Sequence, residues 1–170
     1  MELFSENSNF LVGLAGADGN ATTLQGKRVR ADQCAEVMVI AHLKASGGTT
    51  SASQVTVTVE EHTATSSGTT QTKTFDQVLL TTGATLIGDE STKGRPTRTK
   101  YSTAQSTYQT TAAAGDKEQL IQIPIRTRAL SKGFSWLSAK ITGLTAARVC
   151  AIYYIRHDES YGADQTVDLY

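Results

Sequence analysis

The stretch QVTVTVEEH, residues 54–62, alternates valine with polar residues along its whole length. One side of an extended chain would carry Val55, Val57 and Val59, and the other side Thr56, Thr58 and Glu60. A period of two residues is typical of a β-strand with one face in a core and one toward solvent. The pattern therefore predicts a strand here, and it is the clearest such signal in the chain.

The composition favours the same structure for the rest of the chain. Among 170 residues there are 26 threonines, whereas charged residues make up only 19%. Threonine is β-branched, so it suits a pleated, half-exposed surface better than a helix. The length suits one domain around one core. We therefore predict an all-β protein with a single domain.

Further apolar stretches predict the other strands, and these are residues 28–45, 118–130, 133–144 and 147–158. In the first, Val37, Val39, Ala41 and Leu43 share a face. Pro124 lacks an N–H donor, which predicts an edge strand. The last stretch is apolar on both faces, which predicts a central strand. Residues 72–88 fit either strands or a short helical turn at 76–80. About seven or eight strands with turns between them indicate an antiparallel β-sandwich or a jelly-roll-like fold.

Changes in composition divide the chain into parts. Residues 1–25 are predicted to be an extended N-terminal arm, 26–158 the β-sandwich domain and 159–170 a C-terminal tail. The arm either packs loosely on its own domain or docks on a neighbouring subunit through apolar anchors, which are Phe4, Phe10, Leu11 and Val12. Within the domain, residues 89–117 form a long polar excursion, read as a projecting hairpin or a functional loop.

The most basic loop is KGRPTRTKY, residues 93–101, which carries four cations: Lys93, Arg95, Arg98 and Lys100. It is interpreted as a solvent-facing loop, as a contact for an acidic protein surface or as a nucleic-acid site. The formal net charge of the chain is +0, whereas phosphate-binding proteins usually carry a basic excess. The charges also lack an aromatic ladder for stacking bases. We therefore expect no direct nucleic-acid binding, and the loop either faces solvent or contacts an acidic protein surface.

No pattern for catalysis or cofactor binding is found in the sequence. The glycines match neither a phosphate-binding loop nor a dinucleotide fingerprint. His42 is read as a sheet residue, while His62 and His157 lie beside carboxylates and would form a metal site only if their strand ends met. Cys34 and Cys150 are each predicted to be buried in a strand, and Phe134 and Trp136 to pack in the core. We expect a non-enzyme with no catalytic residue, metal or cofactor.

The N-terminal sequence lacks the pattern of a secretory signal, because no basic segment precedes an apolar core. An apolar run of 18 residues is also missing from the sequence, so no transmembrane helix is expected. These features predict a protein made in a cytoplasm that does not bind membranes.

Three segments resemble the small virion proteins of tailed bacteriophages. They are GKRVRADQCAEVMVIAHLKASGG (26–48), QVTVTVEEHTATSSGTTQ (54–71) and FSWLSAKITGLTAARVCAIYYIRHD (134–158). The closest likeness is to the Thr-, Ala- and Gly-rich β-sandwiches that decorate capsids. This resemblance implies a cement protein, made in the host cytoplasm, that binds the major capsid protein at the capsid surface as a homotrimer. It assigns no individual functional residue.

Two other functions are kept as alternatives. A head–tail connector or tail subunit of the same virion would also use an arm and a long hairpin. A carbohydrate-binding β-sandwich would instead need exposed aromatic rings in a cleft.

Overall fold

The computed structural model describes residues 8–17, 23–44, 54–83, 96–111, 117–144 and 149–157. Within these residues there are twelve strands and one 3-10 helix, Thr127–Ala129. The strands are β1 Ser8–Ala17, β2 Thr23–Gln25, β3 Val29–Arg30, β4 Glu36–Leu43, β5 Thr56–His62, β6 Thr70–Thr72, β7 Phe75–Gly83, β8 Thr97–Gln105, β9 Thr107–Gln109, β10 Glu118–Arg126, β11 Trp136–Thr142 and β12 Cys150–His157. The described residues contain no helix long and apolar enough to span a membrane.

Two antiparallel sheets form the domain, so the predicted all-β sandwich is confirmed. The first sheet has the order β1-β12-β4-β10-β7-β8. In the second sheet β2, β11, β5 and β6 lie in that order, β3 also pairs with β11, and β9 pairs with β5. The prediction that the strand at 147–158 is central is also confirmed, because β12 lies between β1 and β4.

The core lies between the sheets and is built from alternate residues of the longest strands. The inward residues predicted for β4, for β5 and for the position just before β5 are fully buried there: Val37, Val39, Ala41, Leu43, Val55, Val57 and Val59. β10 adds three isoleucines and β11 adds alternate residues: Ile121, Ile123, Ile125, Leu137, Ala139 and Ile141. Burial of branched side chains at every second position drives these segments into strands.

Both open sides of the sandwich are bridged by the chain. On one side the backbone N–H of Lys27 donates to the carbonyl of Gly13 at 2.8 Å, which joins the β2–β3 connection to β1. On the other side, β8 belongs to the first sheet and β9, which follows it directly, to the second. Tyr101 and Tyr108 are half-buried there and pack on the core.

The polar excursion and the N-terminal region contain more strand structure than expected. Within residues 1–25, β1 pairs with β12 and β2 pairs with β11, so the described parts belong to the two sheets. Within residues 89–117, β8 pairs with β7 and β9 with β5, rather than with each other. The sequence signal is weak because β2 and β9 have only three residues each. Phe4, Lys93, Arg95 and the predicted tail 159–170 lie outside the described residues.

Pro124 was predicted to mark an edge strand, and this is wrong because β10 lies between β4 and β7. The pairing of β10 with β7 ends at Gln122 opposite Leu79, whereas its pairing with β4 continues to Arg126. Pro124 therefore lies where only one neighbouring strand remains, and its missing donor costs β10 no bond to β7.

The region at 76–80 is strand β7 rather than a helical turn. The long strand expected at 28–45 is divided into β3 and β4 by a turn, and Cys34 lies in that turn instead of in a strand. Cys150 is opposite Leu43, at the end of β4 that is far from Cys34. At ~3.3 Å per residue, the two cysteines are about 25 Å apart. That separation is too long for a disulfide within the chain.

Phe134 and Trp136 were predicted to lie in the core, and this is wrong. Both are only half-buried. In β11, Leu137 and Ala139 point inward, so Trp136 projects from the opposite face of the strand.

Candidate functional site

A groove opens on the first sheet where β7 begins, β10 ends and the 3-10 helix follows, and we call it the basic groove. It encloses about 340 Å³. Five cationic side chains line it, which are Lys73, Arg98, Lys100, Arg126 and Arg128. Two carboxylates, those of Glu36 and Asp76, also line it. The groove therefore has an excess of positive charge in a chain whose formal net charge is zero.

The cations of the basic groove differ in how they are neutralised. The ammonium of Lys73 lies 3.7 Å from a carboxylate oxygen of Glu61 and also donates to the carbonyl of Ala129. The guanidinium of Arg98 donates to the neutral side-chain oxygen of Gln77, with Nε at 3.0 Å, so it is held in place by a group that carries no negative charge.

Three further cations of the basic groove remain available to an anionic partner. Lys100, Arg126 and Arg128 form no ion pair with another described residue. All three side chains are exposed. Because no described carboxylate neutralises these three cations, the groove attracts carboxylates or phosphates at long range.

The sequence predicted two of these five cations and missed three, one of which is Lys73. Arg98 and Lys100 come from the basic loop that was singled out, and the sheet places them beside Arg126 and Arg128. The available signal for the second pair was the sequence IRTR, residues 125–128, directly after an apolar strand. It gave no reason to place these arginines next to residues 98–100, because that proximity depends on how β7, β8 and β10 pair.

The predicted apolar anchors separate onto the two faces of β1. Phe10 is 60% exposed and Val12 is 53% exposed, on the outer face of the first sheet. The ring of Phe10 stacks on Tyr153 with 5.3 Å between centroids. Leu11 lies between them in sequence and packs against the core instead. Phe10 and Val12 therefore lie at the surface of the first sheet, whereas Leu11 contributes to the core.

Phe10 and Val12 belong to the outer face of the first sheet, which we call the outer apolar face. Its other apolar residues are half-buried (Met38, Leu79, Tyr153, Ile155) or buried by their neighbours (Ile40, Pro124). One cross-strand row joins Phe10, Ile155, Met38 and Pro124. The next row joins Val12, Tyr153, Ile40, Gln122, Leu79 and Arg98, and so crosses all six strands. Because Pro124 and Arg98 also line the basic groove, the outer apolar face and the groove form one surface.

The second sheet contains a polar network around a buried serine–histidine pair. Nε2 of His62 lies 2.7 Å from the hydroxyl of Ser138, and Nδ1 lies 2.8 Å from the hydroxyl of Thr70. Gln25 donates to Ser138 at 2.7 Å and to Glu60 at 3.1 Å. The network thereby ties β2, β5, β6 and β11 together through side chains.

This pair has the spacing of a nucleophile and its base, but its surroundings do not suit catalysis. Ser138 is 0% exposed, so a substrate cannot reach its hydroxyl. The partner of the histidine on Nδ1 is a neutral hydroxyl rather than a carboxylate. Burial, and secondly the charge of Arg28, lower the pKa of His62, so that its neutral form fits the network. The pair is therefore a structural element of the second sheet.

The remaining histidine contacts are those of His42 and the suggested metal site of His62 and His157. Nε2 of His42 lies 2.5 Å from a carboxylate oxygen of Glu118 across neighbouring strands. His62 and His157, the two halves of the conceivable metal site, lie in different sheets. Among the described residues no three His, Cys, Asp or Glu side chains converge as metal ligands would.

Comparison with known proteins gives little similarity. No protein-family model matches the chain, and no curated protein matches it. Among solved structures, a match is found to the CBM22-1–GH10 modules of xylanase 10B from Clostridium thermocellum, crystallised with xylohexaose, at 6% identity and a TM-score of 0.21. The match covers 93% of this chain and 27% of that chain. At this identity and TM-score it indicates neither a common fold nor a common ligand.

Proposed function

We propose that the chain is a non-enzymatic structural protein that binds and stabilises the outside of a phage capsid as a decoration protein. Its direct partner is the major capsid protein, and it assembles with itself as a homotrimer on the virion surface. One observation carries the proposal: the outer apolar face adjoins the basic groove, because Pro124 and Arg98 belong to both.

The make-up of this combined surface supports a protein partner. Aromatic residues, methionine and arginine are enriched in protein interfaces, and the surface contains Phe10, Met38, Tyr153, Arg98 and Arg126.

The charge of the basic groove indicates what kind of surface the partner has. Cations at the rim of an interface speed association and select an oppositely charged partner. An apolar centre with a basic rim thus fits a capsid surface that presents carboxylates around an apolar patch.

Co-sedimentation with empty shells of the major capsid protein from the same genome tests the proposal. The intact chain should bind, and Arg128→Glu should bind about tenfold more weakly, which corresponds to about 1.4 kcal/mol. The matched control is Lys27→Glu, which makes the same charge change at an exposed residue outside the groove. Equal binding of the two variants, or no binding by the intact chain, would contradict the proposal.

Labelling of assembled particles separates the alternatives. Labels spread over the capsid faces support a decoration protein, whereas labels at one vertex indicate a connector or tail subunit.

For a carbohydrate-binding module, the fluorescence of Trp136 should change with a soluble oligosaccharide. In the structure Phe134 lines a shallow groove with Leu130 and Arg128, and Trp136 does not line that groove.

A further inference from the structure

The edge of the first sheet next to the basic groove is strand β8. It pairs with β7 on one side, and no described strand pairs with it on the other. Seven of its nine residues are exposed. An edge of this kind presents unpaired backbone N–H and C=O groups that can accept another strand.

We infer that the partner inserts an extended acidic segment, which adds to β8 as a seventh strand of the first sheet. This inference rests on the proposed function, because it names the part of the capsid partner that the basic groove recognises. Strand addition of this type takes affinity from backbone hydrogen bonds and specificity from alternate side chains.

The spacing of the cations on β8 fits an alternating acidic sequence. Arg98 and Lys100 are two residues apart, so they lie on one face of the strand about 6.7 Å apart. In an added strand, acidic residues at alternate positions would lie directly beside them, at ~4.8 Å in the pairing direction. Opposite charges at such cross-strand positions stabilise the pairing.

The local geometry of β8 limits the length of the paired segment. From Thr97 to Lys100 the register with β7 is regular, and it shifts between Lys100 and Gln105. Such a shift bends a strand and ends regular pairing. About four residues can therefore pair, which accommodates the pattern acidic–x–acidic. Beyond Lys100 the segment would reach the basic groove, where Arg126 and Arg128 are available for a further carboxylate.

The same two cations also explain why the edge is selective. Charged residues on an edge strand normally prevent neutral or like-charged strands from pairing. Arg98 and Lys100 repel basic segments and leave uncompensated charge beside neutral ones. An acidic segment removes this penalty, so the charges that protect the edge also choose its partner.

A labelled nine-residue peptide of alternating aspartate and threonine tests the inference by fluorescence anisotropy with the intact chain. We expect saturable binding, at least tenfold weaker binding of an asparagine–threonine control peptide, and at least tenfold weaker binding to Arg98→Gln/Lys100→Gln. Circular dichroism establishes whether that variant folds, while the peptide comparisons use the unaltered protein and so do not depend on it.

Two N-methylated forms of the acidic peptide distinguish strand addition from simple charge attraction. In an extended peptide the N–H groups of the aspartates point to one edge and those of the threonines to the other. Methylation of one set should abolish binding, whereas methylation of the other set should change it less than threefold. Equal binding of both forms, or no binding of the parent peptide, would overturn the inference. Neither result would touch the proposed function, which is tested separately by co-sedimentation with capsid shells.

Discussion

The hydroxyl of Tyr154 in the first sheet accepts a hydrogen bond from the backbone N–H of Ala139 in the second sheet, at 3.0 Å. Tyr154 is 0% exposed, and a Cβ on Gly13 would come 2.2 Å from its ring, while a Cβ on Gly26 would come 2.5 Å from its hydroxyl oxygen. The contact joins the two layers through a buried polar atom, and the close approach explains why glycine stands both in β1 and in the β2–β3 connection.

Replacement of Tyr154 by phenylalanine should destabilise the protein. The ring would remain, but the buried N–H of Ala139 would lose its acceptor, at a cost of about 1–3 kcal/mol. Urea denaturation measures the change in the free energy of unfolding. The control is Tyr153→Phe, since that half-buried ring stacks on Phe10 at the surface, and we expect a change below about 0.5 kcal/mol. Equal values for the two variants would contradict the role of the hydroxyl.

Two glycines with positive φ provide a matched pair of substitutions. Gly133 has φ +86° and open space around the position that a Cβ would take, whereas at Gly143, with φ +78°, a Cβ would lie 2.4 Å from the carbonyl oxygen of Gln54. Gly133→Ala should cost about 1–2 kcal/mol through backbone strain alone. Gly143→Ala should cost at least about 1 kcal/mol more because of the clash. Thermal unfolding of both variants checks this order, and the reverse order would refute it.

The stability of the protein should fall as the pH drops below about 6.5. Burial, and secondly the charge of Arg28, lower the pKa of His62, so the unfolded chain binds a proton that the folded chain does not. The stabilisation from His62 is complete at pH values above the pKa of histidine in the unfolded chain, which is about 6.5. It is lost as the pH falls through the pKa of His62 in the folded protein. Its size is about 1.4 kcal/mol for each pH unit by which folding lowers that pKa.

Urea denaturation between pH 7 and pH 5.5 measures this effect. His62→Gln should be less stable at pH 7, because it loses the hydrogen bonds to Ser138 and Thr70. Its stability should depend less on pH in the same window. An imidazole of His62 that titrates at or above 6.5 by NMR in the folded protein would contradict the prediction.

Removal of residues 1–25 should destabilise the domain as well as alter its assembly. The deletion removes β1 and β2, uncovers an edge of β12 and breaks the contact between Gly13 and Lys27. We expect a loss of several kcal/mol, since apolar burial contributes about 25 cal/mol per Å². Deletion of residues 1–7 is the control, because it leaves both strands in place. Thermal unfolding and light scattering of both deletions measure stability and mass, and equal melting temperatures would show that β1 is dispensable.

Local patterns in the sequence were sufficient to predict the fold class. The alternation at Val55, Val57 and Val59 and the two apolar faces of residues 150–156 both predicted strands that the structure contains. These predictions succeed because the period of two is a property of a single chain segment, and because burial on one face enforces it. The basic residues Arg98 and Lys100 were also recognised from their charge alone.

Only the tertiary structure decided which strands are neighbours, and the candidate site depends on those pairings. Arg126 joins Arg98 because β7 lies between β10 and β8, and His62 meets Ser138 because β5 pairs with β11. Pro124 is tolerated inside the first sheet because β7 stops pairing at Gln122. Such contacts join residues far apart in the chain, so they are set by the packing of the whole core and by loop closure rather than by local sequence. The sequence by itself determined an all-β chain with a basic segment, whereas the pairing of its strands decided where that charge lies.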